Sequence, residues 1–267
     1  MLTQMGGRSS SKSVVAFRYF LIGLLPNHMQ ATSAQDEAKR AAAAKAIETF
    51  LKDGMTIGLG SGSTSRWFVR ILGERVTSGL KVIGVPSSKS TGQLAQEVGV
   101  PLADLNDVSQ LDLTIDGADE IDSKGRMIKG GGANLLWEKI VACASKKMVA
   151  IVDESKVVER LGRFPLPVEV IPFAWRSTER HLQNLFRDEG FADVQIDVRG
   201  GLQKPLITDS GHYLLDCHLR AISGPENLGA KLNQIPGVVE HGLFINVATD
   251  AVVGHASGHA EVVTFRT

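Results

Sequence analysis

The sequence has few of the features that mark the specialised protein classes. Cysteine occurs only twice in 267 residues, at Cys143 and Cys217, and neither sits in CxxC spacing or beside a histidine at ligand spacing. That excludes a disulfide-stapled scaffold and a zinc ribbon, and it fits reduced thiols in a reducing, cytoplasmic setting. There is no excess charge of either sign, since 29 basic residues balance 29 acidic ones. Bulk electrostatics therefore offers nothing to nucleic acid or to an acidic membrane surface, and any phosphate must be held by a local site. The seven histidines are scattered. The closest pair, His255 and His259, lies in a Gly-containing tail, and a metal role is not expected there. No apolar run is long enough to span a bilayer.

Acidic residues are also missing from the first 35 positions. Arg8, Lys12 and Arg18 precede or interrupt the apolar run Val14 to Leu25. Basic, acid-free, Ser-containing stretches can act as targeting segments, which would place the protein in an organelle. The plainer expectation, preferred here, is that residues 1–28 are a leader or mis-started extension and that Met29 is the natural start.

From Gln35 onward the pattern is regular. An Ala-rich helix is expected over Ala38 to Leu51, ending before Asp53-Gly54. Short buried strands follow at Met55–Leu59, Lys81–Val85, Leu111–Ile115 and Met148–Val152. Helices are expected between them at Ser65–Leu72, Thr91–Val98 and Trp137–Ser145. This alternation argues for an α/β domain with a mostly parallel sheet and helices on both faces. Ligands of such sheets bind beyond the carboxyl ends of the strands, so the loops after Leu59, Val85, Ile115 and Val152 are the places to search. Prolines at 165, 167 and 172 mark a crossover. Beyond them come a helix (Ser177–Asp188), strand-like runs (Val194–Val198, Leu206–Thr208, Tyr213–Cys217) and a helix (Asn227–Gln234). They suggest a small inserted α+β domain over 166–240, with 29–165 and 241–267 forming the main one. Leu243–Val247 and the tail beyond it are expected to rejoin the main sheet.

Four stretches carry chemistry. Gly60-Ser61-Gly62-Ser63-Thr64 lies between a strand and a helix, where glycines allow close backbone approach and helix-start N–H groups attract an anion. It lacks the lysine of a Walker loop and fails G-x-G-x-x-G, and the second strand ends in Pro86-Ser-Ser-Lys89 with no acid for a ribose hydroxyl, so dinucleotide binding is disfavoured. Alone it reads equally as a plain turn. Asp116-Gly117-Ala118-Asp119 puts two carboxylates at the end of a buried strand, where close carboxylates can share a proton and one pKa rises. The alternatives are a solvated acidic turn or, with Glu120 and Asp122, a Mg²⁺ site. In Lys129-Gly130-Gly131-Gly132, three costly glycines follow a lysine able to stabilise an oxyanion. Asn134 is a candidate cap for the next helix, placing Glu138 in its first turn as a base whose pKa the helix end lowers and burial raises. Taken singly, Glu138 also reads as a surface partner of Lys139. Lys156, after the last core strand, and Lys39, in the first helix, are cationic candidates that read equally as surface lysines.

Together GLGSGST (58–64), DLTIDGADEID (112–122), KGGGANLLWEK (129–139), IVDESK (151–156), FPLPVEVIPFAW (164–175) and IPGVVEHGLF (235–244) resemble the ribose-5-phosphate isomerase A family, from about Gln35 to the end. Ser61 stands where many members have Thr, and the N-terminal extension has no counterpart. The resemblance implies a Rossmann-like core, a ferredoxin-like small domain, a homodimer or dimer of dimers, and no cofactor or metal. It implies an aldose–ketose isomerase acting on ribose 5-phosphate and ribulose 5-phosphate in the non-oxidative pentose phosphate pathway. Ser61 to Thr64 would hold chiefly the phosphate, and Asp116 to Asp119 and Lys129 to Gly132 would line the sugar. Lys156 and Lys39 would add substrate contacts. Asp116 or Asp119 would assist ring opening, Glu138 would move the proton between C2 and C1 through a cis-enediol, and Lys129 would steady the oxyanion. Competing readings are a catalytically silent sugar-phosphate sensor, an acyl-carrier transferase and an NAD-dependent dehydrogenase. The first lacks a base, the second needs a further Gly-rich stretch that is not present, and the third needs the absent ribose-binding acid.

Overall fold

The computed structural model describes residues 33–265, so the expected leader lies outside the described residues. In chain order the elements are α1 (Ala34–Phe50), β1 (Met55–Leu59), α2 (Ser63–Thr77), β2 (Val82–Pro86), α3 (Lys89–Glu97), β3 (Leu113–Asp116), β4 (Glu120–Ile121), β5 (Met127–Ile128), α4 (Leu135–Cys143) and β6 (Met148–Asp153). They continue with β7 (Leu166–Val170), α5 (Trp175–Asp188), β8 (Ile196–Val198), β9 (Tyr213–Cys217), α6 (Pro225–Leu232), β10 (Val238–His241), β11 (Leu243–Phe244), β12 (Asp250–Gly254) and β13 (Ala260–Thr264).

The main sheet has the order β13-β12-β6-β3-β1-β2, all parallel except the antiparallel edge strand β13. Strands β3, β6 and β12 are buried along their whole length because both faces of the sheet are covered there. Along β6, Val149 and Ile151 pack with α1 and α2 residues such as Ala43, Ala46, Phe68 and Leu72. Met148, Ala150 and Val152 pack the other way, with Ala142 of α4 and with Phe244. Helix α1 begins four residues earlier than its apolar pattern suggests. The Ser33 side chain accepts a hydrogen bond from Asp36 N at 3.1 Å, and Asp36 and Glu37 sit in the first turn, where carboxylates suit the helix dipole.

The smaller layer is a four-stranded antiparallel sheet, β10-β7-β9-β8, spanning 166–241. Its elements run β-α-β-β-α-β, the ferredoxin-like order. Leu166, Val168 and Val170 alternate onto a separate core with Leu182 and Phe186 of α5 and Leu228 and Leu232 of α6. Two expectations fail here. Leu206–Thr208 is not a strand: Leu206 N bonds Arg199 O and Thr208 N bonds His212 O, which closes a loop instead of extending a ladder. Leu243–Val247 does not rejoin the main sheet. Leu243 and Phe244 pair with Ile128 and Met127, forming a three-stranded β11-β5-β4 sheet that links the two layers, whereas the tail does rejoin the main sheet, as β12 and β13. The proline-marked crossover also contains strand β7, with Pro167 just outside the part of the strand that pairs with β10.

Among the described residues, no helix is long and apolar enough to cross a membrane.

Candidate active site

Strand order reverses at β1, which has β2 on one side and β3 on the other. At such a switch point the loops leaving neighbouring strands diverge and open a crevice. Here the loop after β1 and the carboxyl end of β3 meet directly. Gly60 N donates to Ile115 O at 2.9 Å and Ser61 N to Asp116 Oδ1 at 2.9 Å. A Cβ on Gly60 would lie 2.1 Å from Asp116 Oδ1 and 2.5 Å from Asp116 Cα, so only glycine lets the strands close at this point. Gly60→Ala is therefore expected to lower stability by about 1–3 kcal/mol, the usual cost of overpacking. It should also displace Asp116, so that the urea midpoint and kcat/KM fall together.

The cleft has a cavity volume of about 90 Å³ and is lined by Ser61 to Thr64, Gly117 to Asp119, Lys129 to Gly132, Glu138 and Lys156. Asp116 lies buried directly beneath it. The structure thus brings together every stretch singled out from sequence except Lys39, which is buried on α1 and is not part of the cleft wall. Helix α2 starts at Ser63, so the loop presents helix-start N–H groups that have no partner within the helix. Ser61 is turned inward. Its hydroxyl lies 2.9 Å from those of Ser87 and Ser88 and 3.1 Å from that of Thr91, while Thr91 donates to Gly60 O. This hydroxyl cluster fixes the loop from below. Ser87 and Ser88 belong to a loop that the strand-end rule points to, although their residue types alone did not mark them.

At the floor, Lys129 is fully enclosed. Its Nζ lies 2.8 Å from Asp116 Oδ2 and 3.4 Å from Glu138 Oε2, and donates to Gly117 O at 2.6 Å. Among the described residues, neither of those carboxylate oxygens receives a hydrogen bond of good geometry, so both are held chiefly by the ammonium charge. Asp116 Oδ1, by contrast, accepts from Ser61 N, Ser65 Oγ and Gly117 N. Burial pushes the Glu138 carboxyl up to about 8; Lys129 opposes this, and Asp116 and Asp119 reinforce it. For Lys129 burial favours the neutral amine, but Asp116 and Glu138 outweigh it and hold the ammonium above its ordinary range. Burial also raises the Asp119 carboxyl, against the Gly131 N–H and the charges of Lys129, Lys156 and Arg199. Below the floor, the Phe244 ring lies between two cations, Lys129 at 5.4 Å and Lys139 at 4.8 Å from its centroid.

Several sequence readings need adjustment. Asp116 and Asp119 are not hydrogen-bonded to each other; Lys129 instead couples Asp116 to Glu138. The acids of the 116–122 segment diverge, which removes the Mg²⁺ alternative. Glu120 accepts from Gly162 N and Phe164 N, and Asp122 pairs with Arg126. Asn134 occupies the N-cap position of α4, but its side chain donates to Gly132 O and caps nothing. Glu138 is not paired with Lys139, which goes to Glu240 at 2.7 Å. In the glycine loop, Asp119 Oδ2 accepts from Gly131 N at 2.7 Å, and a Cβ on Gly131 would meet Asp119 Oδ1 at 2.4 Å. Ala133 holds φ +67°, a left-handed conformation uncommon outside glycine and found at sites where the chain is aimed for function.

The family model for ribose 5-phosphate isomerase A (phosphoriboisomerase A) matches residues 83–258. The ribose-5-phosphate isomerase A 2 of Yersinia pseudotuberculosis is 53% identical over 229 residues, which cover 85% of this chain and 97% of that protein. The ribose-5-phosphate isomerase A of Cereibacter sphaeroides strain ATCC 17025 is 51% identical over 228 residues, covering 85% and 91%. Among solved structures, a D-ribose-5-phosphate isomerase in complex with phospho-erythronic acid superposes with a TM-score of 0.80 at 36% identity, covering 86% of this chain and 99% of that one. The Neisseria gonorrhoeae ribose 5 phosphate isomerase A gives 0.78 at 40% identity, covering 87% and 98%. By the extent and depth of these matches, the chain belongs to the ribose-5-phosphate isomerase A family.

Proposed function

We propose that the interconversion of D-ribose 5-phosphate and D-ribulose 5-phosphate, the reaction of this isomerase family, runs here as a proton transfer through a cis-enediol with Glu138 as the base. The observation that carries this is the placement of Glu138. Its carboxyl is buried at the cleft floor with a pKa raised to about 8, beside an ammonium that stays charged. A carboxylate in that environment is a stronger base than in water, and its pKa lies close to working pH. A sugar-phosphate sensor would have no use for such a group.

The rest of the cleft fits around it. The phosphate sits at the start of α2, on the N–H groups and hydroxyls of Ser63 and Thr64, with Lys156 at the rim. Asp119, raised by burial, holds a proton more readily than an ordinary aspartate and assists opening of the furanose ring. Glu138 removes the C2 proton of the open aldose. The C2 electrons form the C1–C2 double bond, and the carbonyl oxygen at C1 takes up the negative charge and then the proton of the C2 hydroxyl. Glu138, its proton exchanged with solvent, then delivers a proton to C1 as the C2 oxygen becomes the carbonyl. A single base serving both carbons works from one face, which suits a cis geometry. Lys129, held by Asp116, and loop N–H groups stabilise the oxyanion. The phospho-erythronic acid bound by the 36%-identical relative has a phosphate and a carboxylic acid, the two anionic ends this cleft is built to receive.

The same reading includes a homodimer or dimer of dimers, with residues 166–240 as a distinct small domain, in the cytoplasm. Its support is the separate core of the small layer, the exposure of Val262 and Val263 on edge strand β13, and two unpaired thiols.

The test is turnover of ribose 5-phosphate in EDTA and in D₂O. Undiminished activity and deuterium at C1 of ribulose 5-phosphate are expected. Activity abolished by the chelator, with no deuterium in the product, would mean a metal-assisted hydride shift and overturn the mechanism.

A further inference from the structure

One side chain reaches the site from the smaller layer, and none of the sequence motifs contains it. Arg199 directly follows β8, where its backbone N–H bonds Leu214 O of β9 at 2.9 Å, so its Cα is fixed by the small sheet. Its guanidinium has two sets of partners. Asp216 of β9 accepts Nε on Oδ2 at 2.9 Å and Nη2 on Oδ1, a two-pronged pair that sets the plane of the group. The remaining Nη1 crosses to the glycine loop and donates to Gly130 O at 2.7 Å and Gly131 O at 3.2 Å.

Those two contacts orient two peptide planes. In a trans peptide the C=O and the following N–H point in opposite directions. With Gly130 O drawn to Arg199, the Gly131 N–H points to the other side, where it donates to Asp119 Oδ2 at 2.7 Å. With Gly131 O drawn the same way, the Gly132 N–H is also turned away from Arg199. That N–H has no acceptor among the described residues, and Gly132 lines the cleft. Three consecutive glycines have little orientational preference of their own, so an external group must select one arrangement.

We infer that Arg199 is a positioning residue that acts through the triglycine loop, aiming the Gly132 N–H at the substrate and the Gly131 N–H at Asp119. The inference rests on the proposed role of the cleft. Asp216 holds the guanidinium in plane, and lysine does not replace it, because one ammonium cannot meet Asp216 with two prongs and also span two carbonyls.

The experiment compares Arg199→Ala, Arg199→Lys and Asp216→Asn with the full-length enzyme, reading kcat, KM, the pH profile, thermal midpoint and calorimetric affinity for 4-phosphoerythronate. Arg199→Ala is expected to remain folded, to lose about a hundredfold in kcat/KM, as misplacement of a site by an ångström does, and to bind the probe more weakly. Added guanidinium ion should restore part of that loss, whereas sodium chloride at equal ionic strength should not. The limb of the profile set by Asp119 should move to higher pH, because Asp119 loses a positive neighbour. Arg199→Lys should recover little, and Asp216→Asn should show a smaller loss in the same direction. Unchanged kinetics in folded Arg199→Ala would overturn the inference. So would a loss that follows the thermal midpoint, leaves the pH profile in place and resists guanidinium rescue. Glu138→Gln, run in parallel, separates the two levels. If it is inactive while Arg199→Ala behaves as wild type, only the positioning role falls; if it turns over normally, the reading beneath falls.

Discussion

Glu138→Gln is expected to keep the fold and the affinity for substrate while kcat falls by about 10²- to 10⁴-fold, the usual worth of a positioned general base. Glutamine has nearly the shape of glutamate, so the cleft floor remains filled, but it cannot take the C2 proton. The pH dependence makes the prediction sharper. In the wild type, kcat/KM should climb with pH as the Glu138 carboxyl ionises near its raised value of about 8, and the variant should lose that limb. Stability should change in the opposite sense. The folded protein holds the Glu138 proton more tightly than the unfolded chain, whose carboxyl titrates near 4.5. The unfolded state therefore binds fewer protons across that window, and stability is full below it and declines as pH rises toward 8. The glutamine variant cannot ionise and should show a flatter curve. Steady-state kinetics and denaturant unfolding across this range check both effects. Normal turnover would move the base to Asp116 or Asp119.

The main sheet is legible in the sequence because its central strands are buried on both faces and read as unbroken apolar runs such as Met148 to Val152. Once those strands are placed, the rule for open α/β sheets locates the cleft without any motif. The smaller layer is harder to read. Strand β7 carries Pro167, and the prolines around it look like a linker. The apolar Leu206–Thr208 run looks like a strand but has no neighbour to pair with. Strand β11 has only two residues, and its partner β5 is more than a hundred positions earlier. Within the cleft, the lining residues lie on contiguous motifs that the sequence displays, while those joined to it only by tertiary contact have no local signature. Ser65 and Thr91 look like ordinary helix residues until Asp116 and Gly60 O come within reach. Arg199 is separated from the glycine loop by about 70 positions and a change of layer, and nothing local distinguishes it from a surface arginine.

Lys129→Met is expected to cost the most stability of any single change in the cleft, because it removes the cation that lies between two enclosed carboxylates. Methionine fills a similar length, so the loss is electrostatic. Breaking a buried pair by deleting one partner costs about 3–5 kcal/mol. Among the described residues, Asp116 Oδ2 and Glu138 Oε2 have no well-formed hydrogen bond to fall back on. Glu138 can lower that cost by keeping its proton, which would move it still further from a usable base at neutral pH. Two losses of activity then combine: the oxyanion donor, worth about 10²- to 10³-fold by itself, and the ionised base. Because both act through the same pair, the Lys129→Met and Glu138→Gln effects should not add. In the double variant one of the two stranded carboxylates is gone, so its urea midpoint should lie above that of Lys129→Met alone, while its turnover should be little lower than that of either single variant. A double variant with fully additive losses in stability would show that Lys129 and Glu138 are held independently, and the coupled floor of the cleft would have to be redrawn around Asp116 alone.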